Sequence, residues 1–360
     1  MTAPTYAAHA SPRFNASLHT WLAEIARDAR RAVGSDLLAI LLGGGYGRGE
    51  GGVIERDGVE RPYNDLDLTP VVRRPRALIR RALAAVGHDH ECRTGLEVDF
   101  GTALTPARIR RLPNRLVWHE LAQGHVVIDG SPDVLSGHAP ASLDHPLDPL
   151  EASRLLLNRG AGLLWARLVD DGFQAAPDPD FVRRNVWKSY LALGDALLIA
   201  HGRHATPYAG RDGKVEALAS EDDTVAALGI VERYATALRF KMRPDEVREL
   251  TDPSAAILEA IDAWGQVFLH VERRRGPGAW ADLTEYAASR HLREPVEHGL
   301  PRWPRNGVRS LKIERRLSVR YPREALYREL PVLLGIAEHG EGPNGERAAA
   351  RFLDRWRRLA

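Results

Sequence analysis

Two aspartates, Asp65 and Asp67, stand two residues apart in "NDLDL", and five of the seven residues from Gly43 to Gly49 upstream of them are glycine. On a strand, side chains at that spacing leave the same face, about 6–7 Å apart along the backbone. Carboxylates so placed can straddle divalent cations, and a pair of cations bridged by carboxylates stabilises the attacking and leaving oxygens of an in-line phosphoryl or nucleotidyl displacement. Magnesium suits such a site, because it keeps several waters and needs only a few carboxylates together with substrate phosphates. The glycines supply the complementary part. They tolerate positive φ and close approach, so backbone N–H groups can converge on phosphate oxygens. Neither a G-K-[ST] loop nor a G-x-G-x-x-G fingerprint in register is present, so the loop is of another kind. Arg48 and Glu50 within it can reach phosphate or hold the loop by pairing with each other.

These residues need elements to hold them. "DLLAILL" (36–42) is a continuous apolar run ahead of the glycines and predicts a strand buried on both faces. Residues 64–72 and 95–104 read as further strands, and 125–130 as a short last one. Helices are expected over 15–33, stopped by Gly34, over 75–87, with proline at the first turn and glycine at the end, and over 114–124. "VIERDGVERP" (53–62) reads as an inserted hairpin. The Pro-, Ser- and Gly-rich stretch 136–149 marks a domain boundary. Beyond it the pattern is helical over 151–170, 180–201, 222–241, 254–275, 323–338 and 345–359, while 307–321 fits either a hairpin or a helix. The expected architecture is therefore α/β (α+β) with a mixed sheet in residues 1–140, followed by an all-helical unit in 150–360.

Composition narrows the class. The chain has 360 residues, 44% hydrophobic and 27% charged, the balance of a globular protein. It has no apolar run of about eighteen residues and so no spanning helix. No secretion signal is evident at the N-terminus, and the single cysteine, Cys92, cannot close an intrachain disulfide, so a cytoplasmic protein without a membrane partner is expected. A net charge of +2 argues against a nucleic-acid partner. Only four cations are lysines, Lys188, Lys214, Lys241 and Lys312, and the remainder are arginine.

"LLGGGYGRGE" followed by "NDLDL" resembles the DNA polymerase beta-type nucleotidyltransferase superfamily: an apolar strand, a glycine pair, a short helix and Asp-x-Asp on the next strand. "GGYGRGE" is similar in wording to the PII-protein uridylyltransferases, although this chain has no length for their phosphohydrolase and regulatory domains. The resemblance covers about the first third of the chain. It implies that Gly44 and Gly45 bind the phosphates of a nucleoside triphosphate and that Asp65 and Asp67 bind two magnesium ions. It also implies a third carboxylate on a later strand, a place matched by Asp99, with Glu97 on the same strand face as a rival. Twenty positions separate Gly45 from Asp65, more than in the simplest members, and the 53–62 hairpin accounts for the excess. In several relatives a second-domain lysine reaches the triphosphate. Lys188 is the candidate here, with a solvated helix lysine as the alternative.

The implied activity is transfer of a nucleoside monophosphate from a triphosphate to a hydroxyl of a small-molecule acceptor. Transfer to a protein side chain and a non-catalytic, antitoxin-like interaction module are the other two readings. Asp195 is expected to be a local helix contact. His119, His125, His201 and His204 lack zinc-ligand spacing and are expected to be structural, as are Trp118 and Trp187. The arginine runs at 273–275 and 315–316 are expected to be solvated faces.

Overall fold

The computed structural model describes residues 4–359 except 64, 277, 299, 315, 316 and 338–344. Two units emerge. The first comprises 1–147 together with 205–211 and 238–248; the second comprises 148–204, 212–237 and 249–360. Two short segments from the helical half of the chain therefore belong to the first unit.

In the first unit, helix α1 (Pro12–Val33) begins at Ser11, whose hydroxyl accepts from the Phe14 N–H, and ends at Gly34 with φ 68. Strand β1 (Leu37–Leu42) follows and runs into a single helical turn, α2 (Gly44–Gly47). A hairpin of β2 (Val53–Arg56) and β3 (Val59–Pro62) comes next, closed by Asp57 and Gly58 at φ 54 and 72. Positive φ at both central residues gives the primed turn whose twist matches that of paired strands. β4 (Leu66–Val72), α3 (Ala77–Thr94), β5 (Val98–Phe100), α4 (Pro106–Ile109), α5 (Leu116–Gln123) and β6 (Val126–Asp129) complete the unit. The expected strand start at Asn64 lies outside the described residues.

The sheet has the order β5-β4-β1-β6 and is mixed: β1 is antiparallel to β4 and β6, and β4 is parallel to β5. β1 is buried on both faces, as its composition predicts. Leu37, Ile40 and Leu42 pack with Leu18, Leu22 and Ile25 of α1 and Leu83 of α3, whereas Ala39 and Leu41 pack with Ile109 and Leu121 on the other side.

α3 is longer than expected. Gly87 does not end it; Gly95 does, in the left-handed region at φ 71. A Cβ on Gly87 would fall 2.4 Å from the Val98 carbonyl oxygen, so this glycine serves close helix–strand packing instead of termination. The third strand is correspondingly short, three residues instead of the expected ten.

The second unit is helical. α6 (Leu150–Asp170) and α7 (Phe181–Ala200) come first, followed by α8 (Arg211–Glu221), α9 (Asp223–Ala226), α10 (Val231–Met242) and α11 (Pro253–Arg275). α8 begins on the last residue of the first unit, and the last five residues of α10 belong to that unit. α6, α7 and α11 pack mutually around Trp264, which stacks on Phe268 and donates to the Leu156 carbonyl at 2.8 Å. The helix expected over 222–241 is interrupted at Gly229, φ 63, giving α9 and α10. Residues Trp303–Glu314 are helical, not a hairpin. The helix from Arg323 ends at Leu333, shortly before Gly335 at φ 77; residue 338, where it was expected to end, is outside the described residues. Arg275 is not on a solvated face: it pairs with buried Glu272 at 2.9 Å. Arg273 and Arg274 are exposed but donate to the carbonyls of Trp280 and Ala200. Arg315 and Arg316 are outside the described residues.

Candidate functional site

β4 alternates. Leu66 and Leu68 point into the α1/α3 core, so Asp65 and Asp67 leave the opposite face. β5 does the same, with Val98 and Phe100 against that core and Asp99 turned away. In the parallel register Asp67 stands directly opposite Asp99, one strand spacing, about 4.8 Å, away. Glu97 precedes the strand, and its carbonyl accepts from the Leu66 N–H at 2.9 Å.

The antiparallel pairing of Leu42 with Leu68 brings the end of β1 to the start of β4, which delivers the glycine turn to the carboxylates. The Gly43 N–H donates to the Asp67 carbonyl at 2.8 Å. Gly44 has φ +60, and a Cβ there would fall 2.1 Å from Asp67 Oδ2. Only glycine satisfies both conditions. The turn that follows is braced by Tyr46, whose hydroxyl donates to the Gly52 carbonyl at 2.6 Å and accepts from the Tyr63 N–H at 3.0 Å.

Charge is concentrated here. Asp67 keeps solvent-accessible area yet is closely surrounded by protein atoms. Its pKa is pushed up to about 6, first by desolvation and then by the charges of Asp65 and Asp99; Lys241 and Arg48 oppose the rise. Asp99 is also raised, by burial and then by Asp65. The three carboxylates thus sense one another.

Lys241, at the end of α10, is the cation that sequence reasoning did not single out. Its Nζ would be 3.3 Å from a Cβ on Gly45 and lies 4.7 Å from the centre of the Tyr208 ring. Arg211 covers the same ring at 3.9 Å, and Arg48 is 5.4 Å from it. Arg48 lies 3.6 Å from Glu50 and 3.4 Å from Glu120, with its side chain 6% exposed, and Arg211 donates to Glu120 at 3.0 Å. Glu50 further accepts from the Ala209 N–H at 2.9 Å. Arg48 and Arg211 are thus matched by Glu50 and Glu120, and the charge of Lys241 acts on Asp67. Of the two roles open to Arg48, its contacts are those of a loop-holding residue. What marked Lys241 in the sequence was only its scarcity as a lysine.

Lys188 belongs to the second unit, on α7, where its charge helps lower the pKa of Asp178. Asp195 on the same helix is buried and accepts from Tyr234 at 2.8 Å. His119 and His125 lie in the first unit, and burial lowers the pKa of each. His201 pairs with His270 at 3.2 Å, and Trp187 is buried.

No protein-family model and no curated protein matches the chain. Among the described residues no group of three or more His, Cys, Asp or Glu is arranged to hold a metal ion as it stands. The aspartates are neighbours without being a closed ligand set. Their chemistry nevertheless suits a hard cation: all three are oxygen donors, they face one way, and the raised pKa values of Asp67 and Asp99 record negative charge that a divalent ion would relieve.

Proposed function

We propose that the chain is a magnesium-dependent nucleotidyltransferase that moves a nucleoside monophosphate from a nucleoside triphosphate to a hydroxyl of a small-molecule acceptor. The observation that carries this reading is Asp67 itself, held between the glycine turn at Gly44 and its register partner Asp99, with Lys241 beside Gly45. Asp65, Asp67 and Asp99 would hold the metal. When bound, magnesium neutralises the triphosphate and lowers the pKa of the acceptor hydroxyl. The chain's own part is to orient and to neutralise. The backbone of Gly44–Gly47 approaches phosphate without side-chain obstruction, and the Lys241 ammonium group sets a positive charge beside it. The acceptor oxygen then forms a bond to the α-phosphorus as the bond to the α–β bridging oxygen breaks and pyrophosphate leaves. Electrostatic stabilisation of that charge shift supplies most of the rate in such reactions.

Calorimetric titration with each of the four nucleoside triphosphates, with and without magnesium, tests the reading. We expect magnesium-dependent binding of at least one, weakened about tenfold or more by Lys241→Ala, the usual scale for loss of a charged phosphate contact. Absence of binding by all four would overturn it. Labelled nucleotide added with a cell lysate then separates small-molecule acceptors from protein acceptors by where the label settles. The other reading is a binding module that kept the glycine turn but has no turnover. For that module, joint replacement Asp65→Asn and Asp67→Asn leaves the biological activity intact.

A further inference from the structure

Beyond the reading above, and resting on it for its catalytic meaning, we infer that the β2–β3 hairpin is a positioning device that holds Lys241 over the glycine turn, with Glu60 and Arg243 as its latch. Lys241 belongs to the segment 238–248, which the first unit draws in from far along the chain. The hairpin fastens that segment, and Arg243 is also held within it by Asp245 at 3.5 Å and Glu246 at 3.4 Å. Arg243, two residues after Lys241, donates to Glu60 Oε1 of β3 at 3.2 Å and lies 3.9 Å from Glu55 of β2. The Glu55 N–H donates to Asp245 Oδ2 at 3.0 Å. Phe240, one residue before Lys241, meets the Tyr63 ring edge-to-face at 5.8 Å just past the hairpin.

The hairpin is itself anchored. Glu60 Oε2 accepts from the Ser11 N–H at 2.9 Å and from its hydroxyl at 2.5 Å, and Ser11 is the N-cap of α1. One carboxylate therefore joins the start of α1 to Arg243, and its pKa is lowered by the Ser11 hydrogen bonds and by Arg243 against the opposing effect of burial. Glu60 and Arg243 are both largely covered, with side chains 19% and 16% exposed, so the pair is less screened than a surface ion pair. At the other end of the hairpin, Tyr46 bonds Gly52 and Tyr63, tying the base of the hairpin to the glycine turn. The same ribbon thus contacts both parts of the phosphate-facing surface: the turn through Tyr46, and the lysine through Arg243. A lysine side chain has large rotational freedom, and fixing its backbone on both sides, at Phe240 and Arg243, limits where the ammonium group can go.

The chain has four lysines, so amine acylation followed by peptide mass analysis reads each of them individually, with Lys188, Lys214 and Lys312 as internal references. The comparison is of the full-length protein with its Glu60→Gln and Arg243→Ala variants. We expect the acylation rate of Lys241 relative to the references to rise about fivefold in both, the degree of opening that one largely covered ion pair can restrain. An unchanged relative rate at Lys241 overturns the inference. Should Arg243→Ala loosen the whole fold, seen as a rise at all four lysines, Glu60→Gln alone decides, since it keeps the shape of the side chain. Nucleotide titration adds the catalytic arm: the latch variants should weaken magnesium–nucleotide binding in the native background and have no further effect in Lys241→Ala. Wild-type protein that binds no nucleotide refutes the nucleotidyltransferase reading, whereas the acylation result judges the latch regardless.

Discussion

Gly44 stands so close to Asp67 that a methyl group on its Cα would lie 2.1 Å from the Asp67 carboxylate oxygen, within a backbone conformation of φ +60 that L-residues seldom adopt. The glycine turn and the acidic strand are thus one structure, and the contact between them has a measurable cost when filled. Gly44→Ala should destabilise the protein by on the order of 3 kcal/mol, combining left-handed strain with overpacking. Gly95 supplies the control: it lies in the left-handed region, φ +71 and ψ 8, with nothing within 4 Å of its would-be Cβ, so Gly95→Ala should show the backbone penalty alone, about 1–2 kcal/mol. Urea unfolding of both variants, and of Gly44→Ala combined with Asp67→Ala, separates the two contributions. Equal losses at positions 95 and 44 would mean that the contact with Asp67 is immaterial.

Asp67 should be a residue whose charge harms stability and serves function. Its folded pKa of about 6 exceeds the value of about 3.9 for an unfolded aspartate. The native state therefore holds its proton more tightly, and stability falls as pH rises through that interval. Above pH 6 the full cost is present; below pH 4 it has vanished. Because the carboxyl keeps contact with water, the cost is discounted to about 1–2 kcal/mol. Asp67→Asn should then raise the melting temperature by a few degrees at pH 7.5, have little effect at pH 4, and abolish magnesium-dependent nucleotide binding. Thermal melts at the two pH values check this, and a variant destabilised at pH 7.5 would contradict it.

Much of this geometry was legible in residues 36–72, because local chemistry specifies it. A six- or seven-residue apolar run bounded by glycine marks a strand buried on both faces, Asp57-Gly58 can close a two-residue turn at little cost, and alternation with Leu66 and Leu68 dictates which way Asp65 and Asp67 face. Asp99 was only half legible: the family resemblance pointed to its strand, and alternation left Glu97 on the same face as a rival, because nothing local shows that the strand begins at Val98. What failed was whatever depends on partners distant in sequence. Gly87 has the look of a helix stop until the Val98 carbonyl is known to press against it. Lys241 sits in "RFKMRPDE", where nothing announces that Arg243 will find Glu60 or that the lysine will come to Gly45. Lys188 drew notice by the resemblance, because in several relatives a second-domain lysine reaches the triphosphate, and its helical pattern says nothing about its neighbours. The fold of the first unit follows from short-range periodicity, whereas the cationic side of the site is assembled by long-range ion pairs that periodicity does not encode.

The helical unit should carry its own pH dependence, independent of the aspartates. His201 and His270 lie side by side, ring centres 5.6 Å apart and nearly parallel, with their Nε2 atoms 3.2 Å apart, so one ring donates to the other only while at least one is neutral. Burial, then Arg274 and His270, push the His201 pKa down to about 4, against the opposing effect of Asp222; His270 is lowered too, chiefly by burial. In the unfolded chain a histidine titrates near 6.5, so as pH falls below about 6.5 the unfolded state takes up the proton first and stability is lost until about pH 4, below which the loss levels off. Allowing for partial exposure of the pair, the loss amounts to about 1–2 kcal/mol. His201→Gln removes the titrating ring while leaving His270 a hydrogen-bonding neighbour, and should flatten the profile of urea midpoint against pH between 4 and 6.5. If wild type and variant lost stability in parallel over that range, the acid sensitivity would have to arise from other groups.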